Sequence, residues 1–337
     1  MIKLGVIYGG VSTEHDVSVM SAKSVIDNLD KEKYEVHEIY INEYGKWFEN
    51  DEEIYNLIWT LKELDVIFPV LHGLGGEDGT IQGMLEMLKV PYVGCGVLAS
   101  SVGMDKVYTK IIFEKAGIPQ ASYMYIKRTE NGYVIINENF EEEEFSIEKI
   151  TSKLKFPMFI KPSNSGSSVG VKKATNNQEL KGAIENAAQY DNKILVEQGI
   201  DGREVECAIL DGKEVLASTV GEVLSAEEFY SFDAKYNIPE SKTIIPAKNT
   251  EEQIEEIRKL AVKAFKAIDG KGLSRVDFFI EKETNKIYIN EINTMPGFTK
   301  ISMYPKLFEA VGISYSEILD KLIENAIQDK QKSFTFK

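Results

Sequence analysis

Arg275-Val276-Asp277-Phe278-Phe279-Ile280-Glu281, then Lys282-Glu283-Thr284-Asn285, then Lys286-Ile287-Tyr288-Ile289-Asn290-Glu291-Ile292-Asn293 is the stretch on which the reading of this chain turns. The two outer runs are rich in β-branched and aromatic residues and a polar tetrapeptide separates them, so the pattern predicts a β-hairpin. A three-residue loop at 283–285, ending in a left-handed Asn285, pairs Asp277 with Glu291 and Arg275 with Asn293. All four positions are odd-numbered, and side chains alternate along a strand, so the four groups share one face. Adjacent carboxylates repel unless a cation lies between them. Hard oxygen donors suit Mg²⁺, which takes one or two carboxylates and completes its shell with substrate phosphates. Arg275 suits phosphoryl oxygens. Ordinary cross-strand ion pairs on a surface hairpin are the plainer alternative, and the rest of the sequence decides between the two.

With 337 residues the chain is long enough for two or three small domains. Basic residues number 39 against 54 acidic ones, a net charge of −15, which disfavours nucleic acid and anionic membranes as partners. An anionic ligand then needs a local basic site. Cys95 and Cys207 fit neither a zinc spacing nor a disulfide framework, so two small buried hydrophobes and a cytoplasmic location are expected. Met1–Gly10 reads as a first strand rather than a signal peptide, and no apolar stretch approaches the roughly 20 residues of a membrane span.

Residues 1–104 alternate apolar strands (2–8, 34–41, 66–71, 90–94) with helices (16–29, 82–88), which predicts a parallel sheet flanked by helices. A helix over 104–116 ends at Gly117 and opens a second unit, 105–198. This unit holds an acidic hairpin or loop at 127–149, strands 158–161 and 194–197, and a helix over 177–188. A third unit, 199–337, holds strands 204–210 and 215–223, a long polar loop at 225–247, a helix over 251–268, the hairpin, and a last helix near 313–328. The fold class expected is α/β, with α+β character in the second and third units.

Four further motifs carry chemistry. Lys161-Pro162-Ser163-Asn164-Ser165-Gly166-Ser167-Ser168-Val169-Gly170 follows a strand, and its small residues allow backbone N–H groups and hydroxyls to wrap phosphate oxygens. The lysine precedes the loop, unlike a P-loop. Glu197 and Glu204 stand at strand ends, where carboxylates can accept from ribose hydroxyls. Leu71-His72-Gly73 through Thr80 follows a buried strand and places His72 where open α/β sheets bind ligands. Gly9 through Asp16 opens the first helix, with Ser12 or Thr13 as its cap and Glu14 able to hold an ammonium group. Gly94-Cys95-Gly96-Val97-Leu98-Ala99 fits G-x-G-x-x-A, but no acidic residue follows at a second strand end, so it reads as a turn.

Taken together, Gly9 to Ser18, Leu71 to Gly83, Met104-Asp105-Lys106, Lys161 to Gly170, Phe229 to Tyr236, Arg275 to Asp277 and Glu291 to Gly297 resemble the D-alanine–D-alanine ligase family of the ATP-grasp superfamily, over almost the whole chain. The resemblance implies a three-domain ATP-grasp fold with an N-terminal parallel α/β domain. It implies ATP-dependent joining of two D-alanines through D-alanyl phosphate, for peptidoglycan precursor synthesis. In that reading Lys106 and Lys161 hold ATP phosphates, Glu197 and Glu204 the adenosine, and the Ser167-Ser168 loop closes over the phosphates. Asp277, Glu291 and Asn293 bind two Mg²⁺ (or Mn²⁺) ions. Glu14, near Ser167 and Tyr236, binds the first D-alanine's ammonium, with His72 also at the substrate. Arg275 and the Gly297 N–H form the oxyanion site, and Ser302 and Met303 meet the second D-alanine's carboxylate. Lys235, an ATP contact, and Tyr236 ride on the 225–247 loop as a lid, and the family suggests a homodimer.

The implied chemistry agrees with the residues. An acyl phosphate hydrolyses in water, so the site has to close, and phosphoryl transfer asks for positioned cations rather than a nucleophile–base triad. The alternatives are D-serine as second substrate, another carboxylate as substrate, or a non-catalytic nucleotide-binding module.

Overall fold

The computed structural model describes residues 1–224 and 242–334; Lys235, Tyr236 and most of the expected lid lie outside them. Strands β1 (Ile2–Gly9), β2 (Tyr34–Ile41) and β5 (Val66–Pro69) pair in parallel, as the alternation with helices such as α1 (His15–Asn28) and α3 (Thr80–Leu88) requires. The sheet order is β4-β3-β2-β1-β5. The outer pair, β3 (Trp47–Glu49) and β4 (Glu52–Glu53), is an antiparallel hairpin that the parallel expectation did not include. Its turn is Asn50-Asp51, both left-handed, as a two-residue hairpin turn demands. Residues 90–94 make only an isolated bridge, Ile67↔Tyr92, rather than a strand.

After a short α2 (Leu57–Lys62) comes α4 (Val97–Met104), which the sequence reading did not include; α5 (Lys106–Lys115) forms within the helix expected over 104–116, capped by Asp105, whose side chain accepts from the Tyr108 N–H. The second sheet runs β10-β9-β11-β6-β7-β8. It comprises β6 (Tyr123–Thr129), β7 (Gly132–Ile136), β8 (Glu142–Glu144), β9 (Met158–Pro162), β10 (Lys172–Ala174) and β11 (Lys193–Gln198), with α6 (Ile147–Lys153) and α7 (Asn177–Ala187) supplying its apolar cover. The third sheet runs β14-β13-β12-β15-β16 and is antiparallel throughout. It comprises β12 (Gly202–Leu210), β13 (Leu216–Leu224), β14 (Lys242–Ile244), β15 (Leu273–Glu281) and β16 (Ile287–Asn293). Helix α8 (Glu251–Ala267) packs on it behind a capping box formed by Thr250 and Gln253. A short α9 (Met303–Glu309) and a long α10 (Tyr315–Phe334) follow.

The first and third sheets share one core. Leu4, Val6, Val66 and Phe68 of the first sheet pack in the same cluster as Ile318, Leu319, Leu322 and Ile323 of α10 and Ala208, Leu210 and Leu273 of the third. Tyr34 Oη donates to Asp320 at 2.8 Å on the rim of this cluster. The first sheet is thereby held against the third, and the cleft is lined by the loops after β1 and β5, by β9, β11 and the loop after β9, and by the third sheet.

Candidate active site

The hairpin forms as expected at its mouth and differently at its tip. Asp277 pairs with Glu291 and Arg275 with Asn293. Toward the turn the register changes by one, to Phe278↔Ile289 and Ile280↔Ile287, leaving Asn290 as an extra residue in β16. The Glu281 N–H donates to the Lys286 carbonyl at 2.9 Å, so the loop spans four residues, 282–285, instead of three. Asn285 is left-handed, with φ 58°. The longer loop and the bulge offset each other, which is why the pairs at the mouth keep the expected register. The bulge also turns Asn290 to the cleft, where its Oδ1 lies 3.4 Å from Lys161 Nζ.

Arg275 folds over Asp277, donating from Nε at 2.7 Å and Nη2 at 2.6 Å to the two carboxylate oxygens. Asn293 Nδ2 lies 3.1 Å from Asp277 Oδ2. A residue not singled out from sequence joins them: Glu206 on β12 sits opposite Asp277, its Oε2 3.1 Å from Arg275 Nε. Three carboxylates, Glu206, Asp277 and Glu291, thus stand in a row across three strands, with the guanidinium beside them. Burial disfavours the guanidinium's charge, but Asp277, Glu206 and Glu291 outweigh it and hold Arg275 well above its ordinary range. Among the described residues no set of three His, Cys, Asp or Glu side chains forms a ready-made metal cage. Glu291 and Asn293 line the cleft, while Asp277 is buried with both oxygens on Arg275; two carboxylates and an amide oxygen are the donor set Mg²⁺ takes when substrate phosphates finish its shell, so these residue types fit the ion.

The other ligand-facing groups line the same cleft of about 930 Å³, among them Glu14, His72, Lys106, Lys161, Ser167, Ser168, Glu197, Glu204, Arg275, Glu291, Asn293 and Gly297. Adjacent antiparallel strands put Lys161 opposite Leu195 and Glu197 opposite Phe159, and Lys161 Nζ reaches Glu197 Oε2 at 2.8 Å. The other Glu197 oxygen is in ion contact with Lys110, also missed from sequence although it stands one helical turn after Lys106. Burial alone would raise the Glu197 pKa; Lys110 and Lys161 overcome it and hold the carboxyl below the usual range. Burial lowers Lys110, whereas for Lys161 the Glu197 carboxylate outweighs burial and the pKa rises. Removing one partner of a buried ion pair costs about 3–5 kcal/mol. Lys110→Met is expected near the lower end, about 3 kcal/mol in equilibrium urea unfolding, because Lys161 still covers one oxygen. A loss under about 1 kcal/mol would show that the contact contributes no more than a surface pair.

The loop after β9 is held from several sides. Lys106 Nζ donates to the Ser165 carbonyl at 2.6 Å, and Asn164 donates twice to Asp191, at 2.8 and 2.9 Å. Ser163 Oγ donates at 2.5 Å to Asp105, the cap of α5, which Lys193 also contacts. Ser167 and Ser168 are both left-handed, with φ 47° and 61°, a conformation that costs a non-glycine residue energy and points to a functional constraint. Ser167 Oγ donates to Glu14, which joins this loop to the first domain. A Cβ on Gly73 or Gly166 would come 2.8 or 2.6 Å from Glu14 Oε2, so both glycines make room for that carboxylate.

Three expectations change. Ser12 does not cap α1: its hydroxyl donates to the His72 carbonyl at 2.7 Å and accepts from the Glu14 N–H at 3.1 Å, and the helix starts with no side-chain cap. His72 lines the cleft, yet its ring nitrogens face the Met295 carbonyl at 3.1 Å and Ser21 Oγ at 3.2 Å, so it ties the first domain to the segment after the hairpin. Burial pulls its pKa down, but Glu77, 3.6 Å away, and Glu14 leave it raised. Ser302 and Met303 stand at the start of α9, outside the cleft lining; Ser302 Oγ accepts from the Thr299 N–H at 3.0 Å, and Met303 is buried in the shared core. The G-x-G-x-x-A segment is irregular only over Gly94–Gly96, since Val97, Leu98 and Ala99 open α4; Cys95 Sγ contacts the Lys271 and Leu273 carbonyls at 3.3 and 3.4 Å, and both cysteines are free and buried. Among the described residues no helix is long and apolar enough to cross a membrane.

The family models "D-ala D-ala ligase N-terminus" and "D-ala D-ala ligase C-terminus" match residues 3–95 (in two overlapping segments, 3–60 and 56–95) and 112–324. A D-alanine–D-alanine ligase from Acetivibrio thermocellus is 50% identical, covering 96% of this chain and 95% of its own. Among solved structures, the VanG D-Ala:D-Ser ligase from Enterococcus faecalis is 34% identical with a TM-score of 0.83, over 96% of this chain and 99% of that one. The D-alanine–D-alanine ligase from Bacillus anthracis complexed with ATP is 31% identical with a TM-score of 0.80, over 99% and 100%. Matches of this extent, in sequence and in shape, place the chain in the D-alanine–D-alanine ligase family, with its ATP-grasp fold.

Proposed function

We propose that this protein joins two D-alanines into D-alanyl-D-alanine for peptidoglycan precursors, with ATP as co-substrate and D-alanyl phosphate as intermediate. The observation that carries the reading is the Asp277–Glu291 and Arg275–Asn293 pairing, with Arg275, Glu291 and Asn293 lining one cleft together with Lys161. Lys106 and Lys161, now on the Ser165 carbonyl and on Glu197, are the cations that turn to the phosphates. Glu197 and Glu204 take the adenosine side, with Lys110 keeping Glu197 ionised when Lys161 leaves it. Asp277, Glu291 and Asn293 would hold two Mg²⁺ or Mn²⁺ ions, which would supply neutralisation of the charge developing on the transferred phosphoryl group. Glu14, braced by Ser167, holds the first D-alanine's ammonium and so presents its carboxylate to the γ-phosphate. Arg275 and the Gly297 N–H then stabilise the oxyanion formed when the second amine attacks the acyl phosphate. Ser302 and Met303 remain assigned to the second carboxylate on the resemblance alone.

The units 1–104, 105–198 and 199–337 are the proposed domains, and the cytoplasm is the proposed location. A homodimer is supported by exposed apolar side chains on three successive helices, Ile58 and Trp59 on α2, Met87 on α3 and Leu98 on α4. The D-serine alternative is the weaker one, since the 50%-identical relative is named for D-alanine and the D-Ala:D-Ser ligase is 34% identical. Phosphate release from ATP, measured with D-alanine, D-serine, D-lactate and L-alanine, tests the reading. D-alanine alone is expected to stimulate turnover; if no amino acid does so, the ligase reading is wrong.

A further inference from the structure

We propose that Glu206 is a positioning residue for Arg275, the anchor that lets the guanidinium release Asp277 to a cation. The inference rests on the reading of Asp277, Glu291 and Asn293 as metal ligands. Glu206 is 3% exposed and, like Asp277 at 2%, is not among the residues lining the cleft, whereas Arg275 is. It sits directly across from Asp277 on the neighbouring strand, with Oε2 3.1 Å from the same Nε that donates to Asp277 at 2.7 Å. Arg275 therefore lies against two buried carboxylates on the same face of the sheet, and it lines the cleft while neither of them does.

A guanidinium and a divalent cation cannot share Asp277 closely, because both are positive. When the metal site fills, Arg275 has to let go. A buried charge stripped of its partner is heavily disfavoured, so release is feasible only if a second anion already holds the group. Glu206 supplies that anion. It holds Nε beside Asp277 and leaves the Nη edge to meet the reacting oxygens once Asp277 is released. Without its charge, Arg275 stays on Asp277 and competes with the metal.

Supporting groups behind metal ligands typically change affinity or activity about 10–100-fold, and Glu206→Gln is expected to fall in that range. Mn²⁺ binding to the full-length protein with a non-hydrolysable ATP analogue, followed by water proton relaxation, should weaken about tenfold or more. At saturating Mg²⁺, kcat should fall while KM for ATP moves less than about twofold. Glu206→Asp, which keeps the charge but shortens the reach, should recover Mn²⁺ affinity more than kcat, and it serves alone if Glu206→Gln does not fold. Glu291→Gln is the control for the parent reading and should lose Mn²⁺ binding. If Glu291→Gln loses the ion while both Glu206 variants bind it like the unmodified protein, the positioning role is overturned, whatever their melting temperatures. If Glu291→Gln binds Mn²⁺ normally, the metal assignment itself has failed, and this inference with it.

Discussion

Arg275→Lys is expected to lower kcat by about 10²–10³-fold while leaving KM for ATP nearly unchanged, the size of effect seen when one oxyanion donor is removed. Lysine is the informative substitution because Arg275 lies among Glu206, Asp277 and Glu291. A neutral side chain would leave three acids with less counter-charge and would confuse lost folding with lost catalysis. Lysine keeps the positive charge. It loses the planar fork that donates from Nε and Nη2 at once. A point charge on a flexible stem can neutralise the row, but it cannot hold two N–H groups toward an oxyanion. Steady-state kinetics at saturating Mg²⁺ check this. A kcat within about fivefold of the unmodified protein would reduce Arg275 to a counter-ion and move the oxyanion site elsewhere.

Glu291→Gln is expected to abolish turnover, a loss of at least about 10³-fold, because metal stabilisation of transition-state charge contributes several kcal/mol. The side chain keeps its shape and loses one charge. Folding should tolerate the change, since Glu291 faces a like charge in Asp277 and balances it with Lys161 and Arg275 in range. Activity and stability therefore separate: a stable, inactive protein is the expected result, and near-normal phosphate release would refute Glu291 as a ligand.

How far these groups could be read from the sequence depended on what kind of contact placed them. The alternation of Arg275 to Glu281 and of Lys286 to Asn293 is a local signal, and it placed four side chains on one face. Two local departures cancel each other: the loop takes in Lys282, and Asn290 bulges. Period-2 patterning carries no mark of a bulge, which depends on how the neighbouring strand twists. Glu206 was hidden because its partner is about 70 residues away, and nothing local says that β12 lies beside β15. A signal was present nonetheless. Val205 and Cys207 alternate with Glu204 and Glu206, and acids at alternate positions of a strand that continues Ala208-Ile209-Leu210 mark a polar face inside the molecule. Lys110 was equally accessible, since i, i+4 spacing from Lys106 puts both on one helix face. The β3–β4 hairpin had its signature in Asn50-Asp51 between short runs. The shared core of the first and third sheets had no such trace, because amphipathic α10 shows that it buries a face and not which sheet receives it.

The most direct test is crystallographic: crystals of the full chain grown with Mn²⁺ and a non-hydrolysable ATP analogue, and an anomalous difference map. The account predicts peaks bounded by Asp277, Glu291 and Asn293, next to the analogue's terminal phosphates, with Arg275 turned away from Asp277 and retained on Glu206. Metal bound elsewhere in the cleft, with Arg275 still paired to both oxygens of Asp277, would contradict it.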